Sequence, residues 1–107
     1  MIPQKTIEEL INKHSILEKD LSTGKIDKKM FAEKSKEYSD LNEIIEDAKK
    51  YISFEKDKIE LEKILKDQNT DKELQNMAEK ELNDLKIQFE KNEKKLKIFL
   101  LPKDEAD

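Results

Sequence analysis

The 107 residues contain no cysteine, no arginine, no valine and no tryptophan, with a single glycine and two prolines. Without cysteine there is no disulfide frame, no thiol nucleophile and no thiolate metal site. Without arginine the planar fork that grips phosphates and base edges is missing. The net charge of −4 adds to that, so the chain is poorly equipped to read nucleic acid. An AT-rich genome, whose codons favour Lys, Ile and Asn, produces the same lysine-only basic set. One glycine cannot build a phosphate cradle. The scarcity of glycine and proline also leaves little material for tight turns, so the elements must be few and long. The absence of valine weakens any sheet reading. No apolar run approaches the ~18 residues of a membrane span. The opening residues Met1 to Lys5 carry no apolar signal core, and the expected location is the cytoplasm.

What is present is charge and helix formers. Charged residues make up 45% of the chain and hydrophobic ones 35%. That balance suits helices that each bury one stripe. Thr6-Ile7-Glu8-Glu9 reads as a capping box. Ile7, Leu10, His14, Leu17 and Leu21 then follow at helical spacing, and the lone Gly24 closes the segment. The first helix is therefore expected over 7–22. Asp27 can cap a second helix, and from Lys28 to about Asp67 there is no Gly and no Pro. Forty helical residues span about 60 Å, so an essentially continuous helix over 28–67 is expected, with Ser39-Asp40 as the place where it could kink. Thr70-Asp71-Lys72-Glu73 reads as a second capping box before a third helix over 71–100. Its seam, Ala78, Leu82, Leu85, Phe89, Asn92, Leu96 and Phe99, alternates steps of four and three, a coiled-coil spacing. Pro102 then turns Leu101 toward an extended conformation.

The second helix carries two apolar stripes. One is Tyr38, Leu41, Ile45, Ala48, Ile52 and Ile59. The other is Ile44, Ala48, Tyr51, Phe54, Leu61 and Leu65. Two stripes imply two partners. The expected fold is all-α: an elongated antiparallel three-helix bundle with a long coiled-coil-like hairpin, joined by loops of about five and four residues.

The residues offer little chemistry. His14, the only histidine, falls on an apolar seam and has no serine or cysteine partner in view. Asn92 interrupts the third seam, as a register-fixing polar residue does. Tyr38 and Tyr51 sit among the stripes as packing residues. The carboxylates, such as Glu43 with Asp47 or Glu90 with Glu93 and Lys94, alternate with lysines at helical spacing and read as solvated faces. One histidine and no Asp-x-Asp loop give no metal site. The lysines at 25, 28 and 29 and at 91, 94, 95 and 97 form two small clusters, the second at a helix C-terminus where positive charge suits the macrodipole. Read from these residues alone, the chain is a helical module without catalysis, cofactor or metal.

Three strings narrow this further. FAEKSKEYSDLNEIIEDAKKY (31–51), with its Ser-Lys-Glu-Tyr-Ser-x-Leu core at Ser35 to Leu41, resembles the second helix of the N-terminal domain of bacterial peptide chain release factors. DKELQNMAEKELNDLK (71–86) resembles the next helix. LKIFLLPKDEAD (96–107) resembles the segment joining that helix to the catalytic part, and its Leu-Leu-Pro-Lys-Asp string is similar to the type 1 factors rather than the type 2 factors. The resemblance implies a protein of translation termination at UAA and UAG codons. In that family a Pro-x-Thr tripeptide reads the codon and a Gly-Gly-Gln motif places the hydrolytic water. With one glycine, and with Pro3-Gln4-Lys5 and Pro102-Lys103-Asp104 as its only proline tripeptides, this sequence holds neither motif. What is implied for it is a non-enzymatic domain over 1–101, with 102–107 opening a linker to the codon-reading and catalytic domains. The partners implied are the ribosome at the base of the large-subunit stalk and the GTPase release factor. Little direct nucleic-acid binding and no membrane are expected.

The apolar run Ile98-Phe99-Leu100-Leu101 before Pro102 fits the same reading. Apolar on every side, it is expected to lie exposed as an interface to further domains, fraying after about Ile98 and inviting self-association. Two rivals remain at this level. One is a stand-alone helical adaptor derived from such a factor. The other is an unrelated coiled-coil structural protein, which requires oligomers through the third seam.

Overall fold

The computed structural model describes residues 1–102. It contains four helices, α1 (Gln4–Thr23), α2 (Lys28–Asn42), α3 (Ile45–Lys66) and α4 (Lys72–Leu100), and no strand among the described residues. The all-α class is as expected.

The helix ends show which local signals prevail. α1 starts earlier than the Thr6 box predicts. Pro3 precedes its first residue, and the Thr6 and Ile7 N–H groups donate to the Pro3 carbonyl at 3.1 and 3.4 Å, with no side-chain cap. A proline with φ −58° starts a helix cheaply, because its missing N–H would be unpaired there anyway. Gly24 ends α1 at φ 70°, a left-handed conformation that costs glycine nothing. Asp27 caps α2 by accepting from the Lys29 N–H at 3.4 Å. At α4 the cap is Asp71 rather than Thr70: its carboxylate accepts from the Leu74 N–H at 2.7 Å. An Asp cap adds negative charge beside the positive end of the helix dipole, which a threonine cannot.

The expected continuous helix over 28–67 is two helices, and the break falls at Glu43-Ile44 rather than Ser39-Asp40. Ile44 sits at φ −119°, ψ 1°, outside helical space. The Glu43 and Ile44 N–H groups turn back three residues, to Asp40 and Leu41. The break is tertiary in origin. Leu41, Ile44, Ile45 and Ala48 around it are all buried, and they pack where α1 and the end of α4 converge. The two stripes have different partners: α2 lies along α1, while α3 lies along both α1 and α4. Ile59 does not belong to its stripe and is exposed, because by that point α3 faces α4 alone.

The core is therefore concentrated at one end. Ile2, Ile7, Leu17, Leu41, Ile44, Ala48, Tyr51 and Leu96 form one cluster, with Leu10, Ile11, Tyr38, Ile52, Phe89 and Phe99 packed on it. Beyond it the α3–α4 hairpin continues as two helices, and Ala78 is its only fully buried residue. The Cα radius of gyration is 18.4 Å, against about 13 Å for a compact chain of this length. The principal extents of 61 × 34 × 20 Å confirm the elongation. Every position of the α4 seam from Ala78 to Phe99 is at least partly covered within the chain, so that seam does not need a second copy.

Candidate docking end and its buried polar cluster

The apolar run closes α4. The helix continues to Leu100, and the Leu101 N–H donates to the Ile98 carbonyl at 3.2 Å, so the fraying expected after Ile98 is absent. Phe99 explains the difference. It packs on the core cluster and lines a cleft of about 330 Å³ between α1 and α2 together with Leu10 and Leu41. Its neighbours turn outward: Ile98 is 65% exposed, Leu100 36% and Leu101 45%. Leu101 is extended at φ −66°, ψ 141°, as the following Pro102 requires. One side chain thus anchors the end, and Ile98, Leu100, Leu101 and Pro102 are left facing outward. The rim of the Phe99 cleft is charged but internally matched, with Lys13 to Glu37 at 3.1 Å and Lys36 to Asp40 at 3.6 Å.

A polar cluster ties this end to α3. The Tyr51 hydroxyl accepts from the buried Ile2 N–H at 3.0 Å and lies 3.1 Å from a Glu93 carboxylate oxygen, to which it donates. Burial pushes the Tyr51 hydroxyl above its usual pKa of 10.0, and the Glu93 carboxylate adds to this against the opposing Ile2 backbone contact. Partial burial works to raise Glu93. The hydrogen bond from Tyr51 and the neighbouring Lys97 ammonium outweigh it and hold the carboxyl below its ordinary value. The Tyr51 ring stacks on Phe89 at 4.7 Å between centroids, and Phe89 stacks on Phe54 at 4.0 Å. Reading Glu93 as a solvated face missed this bond. The available signal was its place next to Asn92 and four residues after Phe89, on the flank of the seam.

The other singled-out residues are structural. His14 is buried, stacks on Tyr38 at 4.9 Å and lies 2.6 Å from the Asn42 side-chain oxygen, its ring Nε2 being the near atom. The Tyr38 hydroxyl donates to Glu18 at 3.0 Å, and that bond, with some burial, raises its pKa. Asn92 is 2% exposed, but its oxygen accepts from Gln88 of the same helix at 3.0 Å, so the bond pins no partner on α3. Among the described residues no group of three or more His, Asp or Glu side chains is placed to hold a metal ion, and no helix is long and apolar enough to cross a membrane. In the second lysine cluster, Lys95 reaches Asp47 at 3.9 Å and Lys97 reaches Glu93 at 3.4 Å, so half of it is engaged within the bundle.

The described residues form a helical body with one anchored, outward-facing apolar end. The family model described as the PCRF domain matches residues 10–107. The chain belongs to the PCRF domain family. All 107 residues are 70% identical to a stretch of peptide chain release factor 1 from Pelagibacter ubique, covering 30% of that protein. Over 101 residues, 94% of the chain, identity is 39% to peptide chain release factor 1 of Orientia tsutsugamushi, of which 28% is covered. Over 103 residues, also 94%, identity is 42% to the same factor from Agathobacter rectalis, again 28% of its length. The PCRF chain thus spans under a third of the curated relatives it matches. No solved structure matches it significantly.

Proposed function

We propose that this chain is the N-terminal helical domain of a type 1 peptide chain release factor, a cytoplasmic protein that ends translation at UAA and UAG codons. The observation that carries this is the unbroken 70% identity over all 107 residues to a protein of that name. The sequence has one glycine and so no Gly-Gly-Gln motif. Hydrolysis and codon reading belong to the rest of the protein, and this domain's share is contact. Its elongated hairpin suits reaching the base of the large-subunit stalk and the GTPase release factor. Ile98, Phe99, Leu100, Leu101 and Pro102 form the joint to the following domain, which covers the outward-facing apolar side chains. Burying such side chains against a neighbouring domain stabilises both, at about 25 cal/mol per Å² of apolar surface removed from water.

An antibody raised against residues 1–107 tests this in cells that make the protein. A band near 40 kDa is expected, because the 12.7 kDa chain covers 30% of its relative. That band should cosediment with ribosomes halted at UAA. A band at 12.7 kDa alone refutes the termination reading and leaves a stand-alone adaptor.

A further inference from the structure

The α3–α4 hairpin leaves a trough open along one side. Two adjoining clefts, of about 560 and 270 Å³, share Asp57, Leu85 and Gln88 and so run into one another. From Lys50 to Ile64 the trough follows α3 for about 21 Å. Its floor is apolar, with Phe54, Leu61 and Ile64 from α3 and Leu85 and Phe89 from α4, each only half-buried. Its walls are acidic over the distal part, with Asp57 and Glu60 on one side and Glu81 and Asp84 on the other. No lysine lines that part, and Lys50 lines the other. Among the described residues none of the four carboxylates is in an ion pair, whereas acids elsewhere do find lysines, as at Glu37 and Asp47. Met77 and Ile87 share the face of α4 that carries Asp84, at helical spacing, and stand 56% and 47% exposed.

This build selects its occupant. Four unpaired carboxylates repel the phosphates of a nucleic acid. No group of three or more acidic side chains among the described residues is placed to hold a metal ion. The carboxylates attract lysine and arginine, and the apolar floor between them calls for apolar side chains to cover it. Two helices lying side by side leave the position that a third helix takes in a bundle. We propose that the trough is a docking site for a cationic amphipathic helix of another protein, about 14 residues long to match its length. Leucine-sized side chains at helical spacing enter over Leu61, Ile64 and Leu85. The flanking cations meet Asp57 and Glu60 on one side and Glu81 and Asp84 on the other. The inference rests on the surface of the hairpin and does not depend on the termination reading.

The probe is a synthetic helical peptide of about 14 residues, with leucines on one face and lysines flanking them. Titrating it into the isotopically labelled chain, followed by amide shifts, gives place and affinity together. Shifts should concentrate at Asp57, Glu60, Leu61, Ile64, Asp84 and Leu85, and the affinity should fall as salt is added. Glutamate in place of lysine should abolish binding, and serine in place of leucine should weaken it at least about tenfold. Glu60→Lys with Asp84→Lys should also weaken it at least about tenfold, while Glu79→Lys with Glu90→Lys, the same change in net charge away from the trough, should cost less than about threefold. All four positions are exposed, so both pairs should melt as the native chain does. Equal weakening by the two pairs, or undiminished binding of the serine peptide, reduces the effect to general charge attraction and overturns the proposal. Shifts spread over other faces or gathered at Ile98 to Leu101 do the same. So do trough shifts that grow with protein concentration in the absence of peptide, which make a second copy the occupant.

Discussion

Leu96 is the side chain on which the fold should depend most. It is 0% exposed, belongs to the one core cluster, and stands on α4 where that helix meets α1 and the α2–α3 break. Leu96→Ala removes three carbons from a site walled by Ile7, Leu41, Ala48 and others of that cluster. Leu→Ala changes at buried sites cost about 2–5 kcal/mol, and the upper half applies where neighbours cannot collapse into the space. Here side chains from several helices fix the walls, so about 3–4 kcal/mol is expected. A chain of this length has about 5–15 kcal/mol in total, and one whose core occupies only one end should lie in the lower part of that range. The variant is therefore expected to lose around half its stability and, at about 4–8 °C per kcal/mol, to melt at least 12 °C lower. Urea titration followed by ellipticity at 222 nm measures this, with Met77→Ala as the control. Met77 is exposed on the distal hairpin, and its variant should stay within about 0.5 kcal/mol of the parent. A Leu96→Ala loss below 1 kcal/mol, or one matched by Met77→Ala, refutes the claim that a single end-on core holds the molecule.

Asp71→Ala should cost about 1 kcal/mol through loss of the α4 cap, while Thr70→Ala should cost a small fraction of that; equal losses in urea titration would restore Thr70 as the cap. Glu93 has a lowered folded pKa, so the unfolded chain binds more protons as acid is added. Its contribution is present above the ordinary value of 4.5 and is lost as pH falls through the folded value. Glu93→Gln should flatten that acid limb in a melting series from pH 7 to 3, and an unchanged limb counts against the Tyr51–Glu93 bond. Tyr51 is raised, so its contribution holds below pH 10.0 and falls away as pH rises through the folded value. Tyr51→Phe should remove that alkaline step while costing about 1–2 kcal/mol at neutral pH. In sedimentation at rising concentration the 107-residue chain should self-associate through its open end. Ile98→Asp with Leu101→Asp should hold it at 12.7 kDa, and a native chain that stays at that mass throughout removes the exposed-joint argument.

Periodicity made the helices legible. The spacing of Ile7, His14 and Leu17 and of Ala78, Asn92 and Leu96 named buried positions on α1 and α4, because a stripe repeats whatever lies opposite. Local chemistry was legible where one residue decides, as at Gly24 and Asp27. It misled where two neighbouring residues compete for one role, as Thr70 and Asp71 do, or Pro3 and Thr6. The break at Glu43-Ile44 was not legible, since the side chains clustered with Leu41 and Ile44, such as Ile7 and Leu96, lie far away in sequence. The bond from Tyr51 to Glu93 spans 42 residues and escaped for the same reason. At the docking end, composition marked Ile98 to Leu101 as one exposed unit. Only packing could show that Phe99 turns inward while its neighbours do not.

That division of the apolar run bears on how firmly the end of α4 is held. If all four residues faced outward, the end of α4 would fray. With Phe99 seated against Leu10 and Leu41, the last turn of α4 is fixed to the node where α1 and the α2–α3 break also meet. The same cluster therefore grips the root of the hairpin and the last turn of α4. A thin two-helix arm on a single packed node behaves as a lever on a pivot. Hydrogen exchange distinguishes the two cases. Amides near Leu96 should exchange only by global unfolding, and those beyond Ala78 toward the tip by smaller local openings. Faster exchange at Leu96 than in the distal arm would mean that the pivot, rather than the arm, is the yielding part.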